Sequence, residues 1–209
     1  MSAVLSRSVP AIVSAGVVLA VGAILIVGHD LGPLSLHMSM HIIAMNVAGP
    51  MLAVLVVTRL QPTVVSPGWL WAAALIQLVA LWGAHLPSAH STAASHFLQA
   101  VVHGILLLAS LSFWFVVLAL SDARRWHAVA ALLLSGKLVC FLAVLLVFAP
   151  RALYSSHSHM SNIPALADQQ LAGLLMIAAC PLSYLIAAII ITVQIINTRF
   201  VPHPSRTAG

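Results

Sequence analysis

The feature that most constrains this chain is a succession of apolar runs, each about as long as a lipid bilayer is thick. A helix needs roughly 20 residues to cross a ~30 Å hydrocarbon core. Six stretches approach or exceed that length: Val9–Gly28, Leu34–Val57, Gly68–Ala84, His96–Leu120, His127–Ala149 and Leu166–Ile196. Turn-forming and charged residues separate them: His29-Asp30 with Gly32-Pro33, Arg59-Leu60-Gln61-Pro62, Pro87-Ser88, Asp122 with Arg124-Arg125, and Pro150-Arg151. Lipid offers the backbone no hydrogen-bond partners, so runs of this kind satisfy their amides as helices. The expected fold is an all-α integral membrane protein, a single domain built as a six-transmembrane-helix bundle.

Charge agrees with lipid as the solvent. Only 5% of the 209 residues are charged, while 62% are hydrophobic. About a quarter of the residues in a soluble domain are charged, and so few cannot hydrate a globular surface. A cytosolic enzyme, a secreted enzyme and a disordered tail are excluded. The net charge of +5 does not indicate nucleic-acid binding, because the Lys and Arg residues form no basic stripe. Cys140 and Cys180 both lie inside apolar runs and suggest no disulfide framework. Arg7 ahead of Val9–Gly28 is reminiscent of a signal peptide. The length of that run and its weak cleavage site, Ala20-Val21-Gly22-Ala23, favour a retained anchor.

Alternating the loops between two sides places Arg7, Arg59, Arg124, Arg125, Arg199 and Arg206 with the N-terminus, and only Arg151 opposite. Cations concentrate on the cytoplasmic side. Both termini are therefore expected in the cytoplasm (N-in/C-in), with the loops near 29–33, 85–95 and 150–166 facing the periplasm or exterior. Nine of the eleven histidines then fall in those outer loops or in helix ends facing them: His29, His37, His41, His85, His90, His96, His103, His157 and His159. Only His127 and His203 fall on the cytoplasmic side. Ionisable residues within spans usually face a bundle interior or a water-filled cavity, so the expected shape is a cup of imidazoles opening outward.

His37 and His41 are four apart and share one helix face, about 6 Å apart along the axis. Two imidazoles at that spacing can hold one metal ion, although binding to headgroups or loop carbonyls accounts for the same pattern. Met45 continues the stripe one turn deeper. His103 lies seven residues into span four, as His41 lies seven residues into span two, so the two sit at matched depth and can complete one site. Imidazole with thioether suits copper, especially the cuprous ion, better than magnesium or calcium. His85, with Gln77 two turns below as a hydrogen-bond partner, offers a further ligand. Asp168, followed by Gln169, opens span six. It either caps that helix, fixes the tautomer of a ligating histidine, or ligates directly. Met176 and Cys180 extend its face inward as ligands or as core packing. His157, His159 and Met160 form a loop able to capture a soft cation at an entrance, with His96 as a rim ligand or an interfacial residue. Lys137 at the centre of span five has no assigned role, and Asn46, near mid-depth in span two, is a candidate hydrogen-bond partner for it.

Several motifs recur in a characteristic order: His37-Met38-x-x-His41 followed by Ala48-Gly49-Pro50, Trp82-x-x-His85-Leu86-Pro87, His103 with Phe113-Trp114, and Asp168-Gln169-Gln170-Leu171-x-Gly173-Leu174-x-Met176. This pattern, reaching from about residue 37 to 185, resembles the multi-pass CtaG family of cytochrome c oxidase assembly factors, which is distinct from the single-span copper chaperone sharing that name. Two positions depart from it. Gln99 stands where family members often carry a histidine four residues before the span-four histidine, and Ile177 where a tryptophan often follows the span-six methionine. The first leaves span four without a second ligand unless His96, the next turn out, supplies it.

The resemblance implies a bacterial inner-membrane protein that helps build a haem–copper oxidase by handling copper on the outer side, with the oxidase subunits as partners. The residues themselves point to a copper-binding membrane protein rather than an enzyme. Three acidic residues and no nucleophile–base pair leave little for acid–base chemistry. The competing readings are a b-type haem protein with haem between His41 and His103, and a metal or proton transporter using Lys137 and Asn46. A homo-oligomer is left open.

Overall fold

The computed structural model describes residues 31–60, 65–86, 96–154 and 163–200. The expected first span, 9–28, and the loop carrying His157, His159 and Met160 lie outside the described residues, as do His29, His90 and His203. Every regular element among the described residues is helical. Five helices are long and apolar enough to cross a membrane: α1 (Pro33–Leu60), α2 (Pro67–Ala84), α3 (His96–Ala119), α4 (Arg125–Phe148) and α5 (Ala165–Phe200). They match the five expected spans from Leu34 onward, with α5 running furthest past its expected end.

Local sequence explains where these helices start. Pro33 and Pro67 stand in the first helical turn, where the missing N–H is not needed and the fixed φ suits the helix. The end of α3 turns through a short 3-10 segment, Asp122–Arg124, into α4. There Arg125 reaches back to Asp122 at 3.0 Å and across to the Gln194 side chain of α5 at 2.7 Å.

The break inside α1 also has a sequence cause. Residues Ala44–Ala48 form a π turn, in which the Gly49 N–H bonds to the Ala44 carbonyl. Pro50 follows and has no N–H to offer, which would leave the Met45 carbonyl bare under the same five-residue pattern. The Ser110 hydroxyl of α3 donates to that carbonyl at 2.7 Å. Gly49 allows the approach, because a Cβ there would overlap Ser110 Oγ.

Helix α4 packs along α5, α1 lies against α3 and α5, and α2 lies against α3 and α4. At Gly173 the α4–α5 contact is so close that a Cβ would sit 2.7 Å from Val147 Cγ2 and 3.0 Å from the Ala143 carbonyl. Two buried clusters fill the bundle. One, with Leu70, Phe113, Trp114, Leu132 and Tyr184, lies toward the arginine-bearing ends. The other, with Leu34, Met38, Met45, Leu81, Leu106 and Met176, lies toward the histidine-bearing ends. Large apolar residues such as Leu75, Val79, Leu108 and Ile189 remain exposed, as expected of helix faces turned to lipid.

Candidate metal centre

The start of α1 places the first two ligands. Because α1 lacks a capping side chain of its own, its first amides are satisfied from another helix. The buried Asp168 carboxylate of α5 accepts from Leu34 N at 2.8 Å, Ser35 N at 3.0 Å and Ser35 Oγ at 2.5 Å. A carboxylate at a helix N-terminus also sits favourably against the helix dipole. Gly32 leaves room for it, since a Cβ there would overlap the carboxylate. This clamp fixes the turn from which His37 and His41 project.

His37, His41 and His103 converge. One ligand atom from each lies within 4.8 Å of the others. The ring centroids of His37 and His41 are 4.5 Å apart, those of His41 and His103 4.5 Å, and those of His37 and His103 5.0 Å. His41 is buried, while His37 and His103 are partly buried. His103 Nδ1 lies 2.7 Å from the Gln99 carbonyl. A carbonyl only accepts, so Nδ1 donates here and Nε2 is the nitrogen that could face a metal. That Nε2 is buried and has no hydrogen-bond partner among the described residues. Orientation of an imidazole through the nitrogen it does not use is a recurrent feature of metal ligands.

His85, just beyond the end of α2, repeats the arrangement. Its Nδ1 lies 2.7 Å from the Leu81 carbonyl, and its Nε2 faces Met38 Sδ at 3.1 Å. Burial pushes its pKa below the ordinary 6.5, with the Leu81 bond opposing the shift in part, so the neutral ring is favoured. In that form two lone pairs, one nitrogen and one sulfur, face each other. The ring centroid is 5.8 Å from that of His41. Tyr154 holds the backbone here by donating to the His85 carbonyl at 2.6 Å, and burial raises its pKa to about 12, keeping the phenol a donor. Below His41, a small cavity is lined by Met38, Met45, Asn46, Met176 and Cys180.

The family model for the cytochrome c oxidase caa3 assembly factor (Caa3_CtaG) matches residues 11–198. The chain belongs to this family. Comparison with curated proteins and with solved structures finds no match. In this cytochrome c oxidase assembly factor, the described histidines other than His127 lie at one end of the helical bundle.

Other sequence candidates take different places in this assembly factor. Asp168 caps α1 rather than binding a histidine. Gln169 accepts from Leu153 N at 2.7 Å and donates to the Leu146 carbonyl at 3.1 Å, pinning the segment after α4. Gln77 donates to the Tyr184 hydroxyl, not to His85, because the Leu81 carbonyl is the nearer acceptor on the helix. Gln99 acts toward His103 through its backbone carbonyl. Asn46 bonds to Cys180 Sγ at 3.5 Å and accepts from Ser183 Oγ at 2.6 Å, so it is engaged with α5 and not with Lys137. His96 begins α3. On the other side of the bundle, His127 stacks on Trp126 at 3.6 Å. The sequence reading missed Met38 as a neighbour of His85. Its signal was present: Met38 lies three residues before His41 and seven before Met45, on the same helical stripe.

Proposed function

We propose that this assembly factor binds copper at its histidine end and helps deliver or insert it into a haem–copper oxidase from the periplasmic side of a bacterial inner membrane. Copper is cargo in this reading, and the oxidase subunits are its recipients. The convergence of His37, His41 and His103 carries it. Three neutral imidazoles form a trigonal donor set suited to a cuprous ion. Metal–nitrogen bonds of ~2.0 Å put the nitrogens of a trigonal site roughly 3.5 Å apart, so small ring rotations from the 4.8 Å limit close the site. Met38 and His85 supply a second pair of soft donors beside it, and Met45 and Met176 line the cavity below. A step from one donor group to the next gives a transferable ion a path without a tightly closed cage.

The ring spacing favours an ion over a haem. A porphyrin between two imidazoles needs their centroids about 6 Å apart, from two ~2.0 Å bonds plus the ring radii. His41 and His103 are 4.5 Å apart and nearly perpendicular. The test is the metal and haem content of the purified protein, followed by cuprous titration of variants. His41→Ala and His103→Ala should each remove most of the bound copper, and His127→Ala should leave it unchanged. Equal losses at all three positions, or a Soret band without copper, would refute the reading.

A further inference from the structure

Lys137 stands at the centre of α4, twelve residues from Arg125 and eleven from Phe148. At ~1.5 Å per residue it is about 18 Å from the start of that helix, while the half-thickness of a hydrocarbon core is about 15 Å. The four-carbon stem of lysine covers less than half of that distance, so the ammonium does not snorkel to either interface. Yet the residue is exposed on the bundle surface and has no ion pair among the described residues. Among the described residues no acid stands at this level. The chain's acidic residues are Asp30, Asp122 and Asp168. Asp122 is paired with Arg125 at the start of α4, and Asp168 is spent on the α1 cap. A charge at mid-bilayer ordinarily marks a site of function and has a partner.

The surface around Lys137 has the form of a helix seat. A cavity of about 290 Å³ beside it is lined by Gly136, Cys140, Pro181 and Leu185. A second of about 230 Å³, lined by Val129, Ala188 and Thr192, continues from it and shares Leu133 and Leu185. Together they make a groove along the α4–α5 seam, from Cys140 to Val129, about 16 Å or three helical turns long. Small residues in its floor, Gly136, Ala188 and Thr192, are the kind that let a neighbouring backbone approach closely in lipid. The expected first span, 9–28, carries no charged residue to neutralise the ammonium.

We propose that the α4–α5 groove docks a transmembrane helix of the client oxidase that carries an Asp or Glu at mid-membrane depth, paired with Lys137. This rests on the assembly reading but not on copper. The test places a photo-crosslinking residue at Leu133 or Leu185 of the full chain in cells making the oxidase. The expected product joins an oxidase subunit through a span bearing a carboxylate. Lys137→Met should lower its yield by about tenfold, Lys137→Arg should retain it, and amidation of that carboxylate should reproduce the loss. Copper bound by purified Lys137→Met should equal wild type, which separates this surface from the histidine site. Crosslinking indifferent to Lys137→Met, or confined to lipid or to residues 9–28, would overturn the proposal.

Discussion

Replacing Asp168 by Asn tests how the histidine end is held together. The carboxylate accepts from two backbone amides and one hydroxyl, all buried. Hydrogen bonds to a charged acceptor contribute about 1.5–3 kcal/mol each. Asparagine keeps one oxygen and turns an NH2 toward donors, so one or two of these bonds are lost along with the charge at the α1 N-terminus. The expected destabilisation is about 3 kcal/mol. For a chain of this length that corresponds to a fall of roughly 6–12 °C in Tm, measurable by thermal unfolding in detergent. Because α1 carries His37 and His41, copper affinity should weaken while saturating copper still binds at wild-type stoichiometry. Ser35→Ala shares the same carboxylate oxygen, so the double variant should lose less than the sum of the singles. An unchanged Tm with loss of stoichiometric copper would refute the clamp and make Asp168 a ligand.

Two further outcomes follow from packing and protonation. Gly173→Ala sets a Cβ against Val147 and the Ala143 carbonyl and should destabilise by about 1–3 kcal/mol through separation of α4 from α5, read as a lower Tm with the copper site intact. His85 has a folded pKa below 6.5. Above pH 6.5 it is neutral whether folded or unfolded. As pH falls from 6.5 through the lower folded value, the unfolded chain takes a proton that the folded one refuses, and stability is lost. Tm should therefore drop between pH 7.5 and 5, and His85→Gln should flatten that slope.

The helices were legible because lipid thickness fixes the length of an apolar run, and length survives in sequence. His37 and His41 were legible because a four-residue interval is a local property of a helix, and His103 because depth in a span can be counted from its end. Partners far apart in the chain were not. Asp168 reads locally as a cap for its own helix, yet its carboxylate serves a helix 133 residues away. Gln77 and Tyr184, or Asn46 and Ser183, meet only after α2, α1 and α5 have packed. Met38 and His85 likewise stand 47 residues apart on different helices and meet only in the packed bundle.

The π turn in α1 acts as an index between two halves of one rod. One residue advances a helix by about 100°, so the extra residue at Ala44–Ala48 decides which way the histidine half faces relative to the membrane-anchoring half beyond Pro50. A hydroxyl from α3 holds that setting at the Met45 carbonyl, and α3 also carries His103. The helix that completes the ligand set thus shares with the Asp168 clamp in setting the aim of the other two ligands. Variation at Ser110 would re-aim the imidazoles while every ligand and every anchoring contact stayed in the sequence.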